Sequence, residues 1–166
     1  MVLIRLGELP PPARQLADAV TDAVGAAGAG DAAAYDEAVA RLAMQEPERV
    51  GLVLGSVVRQ LLEESYPDGL AADEVLDALD GTVRAAAAWA PVDADVLVSV
   101  VAGALGIHEV DTPEGAERPR QVRPGELAAH APLLAAELLD RVRRPLRHYL
   151  EQAFGEIWRA ETVELP

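Results

Sequence analysis

The chain reads as an all-α protein: a single-domain bundle of about six or seven helices, the last of them long or kinked at Pro145. Three observations predict this. Apolar residues recur at i, i+3, i+4 and i+7 through most of the chain. Alanine, the best helix former, supplies 32 of the 166 residues. The strand-like Val-rich run, 92–106, has no second run of comparable quality to pair with. At this length roughly 70% of the unfolded surface is buried on folding, so one core suffices without a disulfide or structural metal.

The order of elements follows from local chemistry. Residues 1–12 form an extended N-terminal segment ended by Pro10, Pro11 and Pro12. A helical core spans 13–107. In its first helix Leu16, Val20 and Val24 share a face, and the glycine-containing stretch from Gly25 to Gly30 reads as a flexible connection. Asp31 suits the N-cap of a second helix with Tyr35, Ala38, Val39 and Leu42 on one side. Pro47 opens a third, where Val50, Val53, Leu54, Val57, Val58, Leu61 and Leu62 make the clearest apolar stripe in the chain.

Tyr66-Pro67-Asp68-Gly69 is a turn by its residue types. The fourth helix sets Val75, Leu76, Leu79 and Val83 against Asp73, Asp77 and Asp80, and ends near Trp89 and Pro91. The run from Val92 to Gly106, with Asp93 and Asp95 at its start, predicts a central helix. Gly51 and Gly55, four apart, predict a close backbone approach to Ala102 and Gly103. Residues 108–125 read as a long polar loop with Pro113, Pro119 and Pro124. Residues 126–161 complete the domain as a C-terminal helix or helix pair; the apolar phase runs through Pro145, which favours one kinked helix over two.

Composition narrows the function classes. No cysteine is present, which excludes a disulfide framework, a thiolate zinc site and a cysteine nucleophile. The absence of lysine and asparagine, with three isoleucines and one phenylalanine, fits a GC-rich bacterial coding sequence. Arginine in place of lysine therefore carries no information about bidentate recognition. Residues 1–12 lack the pattern of a signal peptide, and the stretch from Val96 to Ile107 would span about 18 Å as a helix, short of a bilayer core. These features predict a cytoplasmic protein without a membrane partner.

Charge is segregated along the chain. The formal net charge is −14, yet residues 118–148 hold seven of the 14 arginines against Glu126, Glu137 and Asp140, a local +4 in a remainder of −18. Arg141, Arg143, Arg144 and Arg147 stand just before or among Tyr149, Phe154 and Trp158, so half of the six aromatics lie in the last 18 residues. Arginine and aromatic side chains are enriched in interface hot spots. These seven residues are the candidate partner- or anion-binding set. They predict self-association first, then an acidic protein or a small anionic ligand. Nucleic acid is disfavoured, because the acidic bulk repels phosphate.

No catalytic residue, metal ligand or cofactor is assigned. Asp73, Glu74 and Asp77 have a spacing that resembles the aspartate-rich metal motif of class I isoprenoid synthases over five residues. The resemblance stops there: Gly103 stands where a second motif's final carboxylate belongs, and acidic residues in a first helical turn complement the helix dipole. Glu126 with His130, His148 with Glu151, and His108 with Glu109 and Asp111 lack the order and spacing of a di-iron carboxylate bundle. Ser56, Ser65 and Ser99 have no nucleophile-elbow setting. The sequence thus predicts a non-catalytic interaction or regulatory module acting as a homodimer. A ligand-sensing domain using Arg143, Arg144 or Arg147 is the alternative, and a metal-dependent enzyme the second alternative.

Overall fold

A computed structural model describes residues 4–107 and 121–163. Seven α-helices and no strand occur among them: α1 (Pro11–Ala29), α2 (Ala32–Ala43), α3 (Pro47–Ser65), α4 (Ala72–Ala86), α5 (Ala94–Ala104), α6 (Pro124–Leu139) and α7 (Leu146–Val163). A short 3-10 turn, Leu6–Glu8, precedes α1. The fold is a single helical bundle, as the periodicity predicts. No helix among the described residues is long and apolar enough to cross a membrane. Most of the proposed 108–125 loop lies outside the described residues, as do His108, Glu109 and Asp111.

Local signals set most of the boundaries. Asp31 caps α2 by accepting from the Ala34 N–H at 3.1 Å, and Asp93 caps α5 by accepting from Asp95 N–H at 2.9 Å. Pro11, Pro47 and Pro124 sit in first turns, where a missing N–H costs nothing. After α3 the chain turns as expected, Gly69 N–H bonding Tyr66 O with Gly69 at φ 108°. The Gly25–Gly30 stretch is not a loose connection. Gly25 and Gly28 lie within α1, which ends only at Gly30, whose φ of 66° is the left-handed C-cap. Burial of Ala19, Val20, Ala23, Val24 and Ala26 on that helix outweighs the ~1 kcal/mol cost of each interior glycine.

The central helix is α6, not α5. α6 packs against α1, α2, α3, α4 and α5, and it is buried around much of its girth through Ala128, Ala131, Leu133, Leu134, Ala135 and Leu138. Its alanines are the physical reason: side chains of one carbon let several neighbours reach the same axis. α5 packs on α3, α4 and α6 through Val96, Leu97, Val100 and Val101 and leaves Val98 exposed on its outer side.

The kink expected at Pro145 is a complete break. α6 stops at Leu139, residues 140–145 turn, and α7 starts at Leu146. Proline disfavours the α conformation at Arg144 and lacks an N–H to continue the ladder, so the apolar phase persists while the axis changes. α7 then lies on α3 and α1, with Tyr149, Leu150, Ala153 and Phe154 buried.

Candidate interaction surface

The arginine tract is largely occupied within the chain. Arg141 Nη1 donates to the Tyr66 hydroxyl at 2.5 Å and lies 3.4 Å from Asp77, while Nη2 donates to Glu137 at 3.3 Å. Burial lowers the Arg141 pKa, but Tyr66, Glu137 and Asp77 together outweigh it and raise the value. Gly81 of α4 makes room for this arrangement, since a Cβ there would collide with the Glu137 carboxylate. Arg144 donates to His148 Nε2 at 2.8 Å and lies 3.9 Å from Glu64. Arg147 pairs with Glu151 at 3.0 Å, and Glu151 also accepts from Leu6 N–H. Arg143 is exposed and makes no ion pair among the described residues. Arg141, Arg144 and Arg147 therefore point to separate partners, and the four cations do not converge on one anion.

The aromatics divide in the same way. Tyr149 is buried, its hydroxyl donates to Glu64 Oε2 at 2.5 Å, and its backbone carbonyl accepts from Gln60 Nε2 at 3.1 Å. Burial, and then the Glu64 hydrogen bond and charge, push its pKa well above the ordinary tyrosine range. Phe154 is 5% exposed and belongs to the core. Trp158 is 55% exposed, one turn farther along α7. Of the seven candidates, Arg143 and Trp158 are the two whose functional groups are not taken up by the fold.

The residues weighed above as metal ligands have other partners. Glu74 turns back to accept from Ala71 N–H at the start of α4, and Asp77 meets Arg141. His130 is buried and bridges two elements: its Nδ1–H donates to Glu126 O at 2.8 Å and its Nε2 accepts from Asp93 N–H at 3.1 Å. Both ring nitrogens of the neutral imidazole are thus engaged. No group of three or more His, Asp or Glu converges among the described residues.

A surface that sequence reasoning missed lies between α3, α7 and the end of α5. A Cβ built on Gly51 would meet the Leu127 side chain of α6 at 3.6 Å, and among the described residues nothing outside the glycine's own helix lies within 4 Å of one built at Gly55 or Gly103. The predicted closure of these glycines on one another is not found among those residues. With Ala104, Ala160, Leu52 and Ile157 they line an open groove of about 670 Å³. Leu52 is 53% exposed. Its position was the available signal: it falls off the apolar stripe of α3, on the face shared by Glu48, Gly55, Ser56 and Arg59.

The rim of the groove is polar and ordered. Arg59 Nη2 lies 2.9 and 2.8 Å from the two oxygens of Glu156, which also accepts from the Ser56 hydroxyl at 2.9 Å. The hydrogen bond to Glu156 is the largest influence raising the Arg59 pKa. Arg49 joins Glu161 at 2.9 Å and Glu46 at 3.7 Å. No protein-family model, curated protein or solved structure matches this chain.

Proposed function

We propose that this chain is a non-catalytic interaction module that self-associates through the C-terminal end of α7. The observation that carries the reading is the exposure of Trp158, 55% accessible, on a helix whose earlier turns bury Tyr149, Leu150, Ala153 and Phe154. Tryptophan is the side chain most often found to anchor an interface, and an exposed one leaves a large favourable contact unmade.

Charge supports the same location. Ile157 to Val163 holds one arginine and one glutamate, so the turns around Trp158 carry little net charge in a protein of net charge −14. Two copies can approach there with less repulsion than elsewhere. Action in the cytoplasm of a bacterial cell belongs to the same proposal and rests on the cysteine-free, GC-rich composition.

Sedimentation equilibrium across the micromolar range tests this reading. The wild type should be dimeric and Trp158→Ala monomeric, with its helical circular dichroism spectrum retained. Removing a hot spot of about 2 kcal/mol from each side of a two-fold interface weakens dimerisation roughly a thousandfold. A monomeric wild type, or an equally dimeric variant, would reject the reading.

A further inference from the structure

We infer that the groove between α3, α7 and the end of α5 docks a basic amphipathic helix from another chain. The inference rests on the interaction-module reading but uses a surface different from the Trp158 face.

The groove is lined by small residues, Gly51, Gly55, Gly103, Ala104 and Ala160, which present almost no side chain, so a helix seated there comes within close backbone range of α3 and α7. Leu52 and Ile157 line it as well and supply apolar contacts to the helix's stripe, the arrangement by which helical peptides lie in grooves.

The rim selects the sign of the partner. Glu46, Glu48, Glu156 and Glu161 line the groove with two guanidiniums, Arg49 and Arg59, each already held by carboxylates. Glu48 makes no ion pair among the described residues. The excess negative charge favours arginine or lysine flanking the apolar stripe. It disfavours phosphate-bearing partners and a second copy of this acidic chain, as complementary potentials set both encounter rate and partner choice. A helix with alanine and leucine on one face and arginine on the others meets both the floor and the rim.

The test is fluorescence anisotropy with a labelled designed peptide of roughly 18 residues, about 27 Å as a helix, carrying Ala and Leu at i, i+3, i+4 and i+7 and Arg elsewhere. A second peptide replaces every Arg by Glu. The Arg peptide should bind saturably and the Glu peptide should not. Gly55→Leu/Gly103→Leu fills the groove in open space and should lower affinity at least tenfold while keeping the wild-type melt. Should that variant fail to fold, Leu52→Arg at its exposed position gives the same readout. Glu48→Arg should weaken binding severalfold at low salt and not at high salt.

Equal binding by the filled variant would mean nonspecific attraction to an acidic protein and would overturn the inference. Binding of the Glu peptide, or no saturable binding by either peptide, would do the same. Trp158→Ala separates the two proposals. Peptide binding retained by that variant supports the groove whatever the oligomeric state, and a wild-type dimer that ignores the peptide removes the groove alone.

Discussion

Replacing Tyr35 and Tyr149 by phenylalanine should flatten the loss of stability at alkaline pH. Both phenols are buried, with their hydroxyls donating to Ala129 O at 2.6 Å and Glu64 Oε2 at 2.5 Å. Burial raises both pKa values above the ordinary 10.0; Asp36 adds to the effect at Tyr35, as do the hydrogen bond and charge of Glu64 at Tyr149, where Arg144 partly opposes it. Because the folded values lie above the unfolded one, the stabilisation is fully present below pH 10 and falls as pH rises beyond it toward the folded values. There the unfolded chain has released protons that the folded chain still holds, so each tyrosine contributes a slope of about −1.4 kcal/mol per pH unit, and the pair about −2.7.

The absence of lysine and cysteine makes this range unusually clean, since arginine stays protonated and Tyr66 is common to every variant. Urea unfolding between pH 8 and about 11.5 should show each single variant losing half of the tyrosine slope and the double variant losing all of it. At pH 8 Tyr149→Phe should cost about 1.5 kcal/mol, the low end for a charged acceptor, because the Glu64 side chain is 35% exposed and water can replace the phenol. Identical slopes in the wild type and the double variant would refute the reasoning.

Three further outcomes follow from the geometry. Phe154→Ala should destabilise by about 3–5 kcal/mol and lower Tm by about 6–20 °C, whereas Trp158→Ala, outside the core, should keep the wild-type helical content and lose at most the concentration-dependent part of the melt. Gly103→Ala should stabilise by about 0.5–1 kcal/mol in urea titration, having open space among the described residues and better helix propensity, while Gly81→Ala should gain less, because the same propensity gain is offset by moving the Glu137 carboxylate away from Arg141. His130→Ala should cost about 1–3 kcal/mol, and faster amide exchange at Asp93 should report the loss of its acceptor.

Elements whose evidence is local were legible in the sequence. The α3 stripe, the Asp31 and Asp93 caps, the Pro47 start and the Tyr66–Gly69 turn each depend on a few neighbouring residues, and each forms. What was not legible depends on competition between distant segments. α5 has the most apolar sequence and was read as central, but a central helix must admit many neighbours, and the small side chains of α6 do that better than valines. The break after α6 was hidden because the apolar phase continues into α7, which packs on α3 and α1, two of the helices that α6 also meets. The basic tract was visible as composition, but its partners, Glu64, Tyr66 and Asp77, are far away in sequence.

Those partners give the charge segregation a use inside the fold. Once α6 ends at Leu139, the turn that follows leaves the placement of α7 to its packing on α3 and α1 and to polar contacts. Arg141 ties the connecting turn to Tyr66 at the end of α3 and to Asp77 on α4, Arg144 meets Glu64 on α3, and Glu151 links α7 to the Leu6 N–H at the opposite end of the chain. Exposed ion pairs contribute about 0–1 kcal/mol each, too little to hold the bundle together. Together they distinguish one placement of α7 from its neighbours by position as well as by energy. That placement leaves Trp158 outward and holds α7 apart from Gly55 and Gly103, so the arginines set the geometry of both proposed surfaces without lying in either.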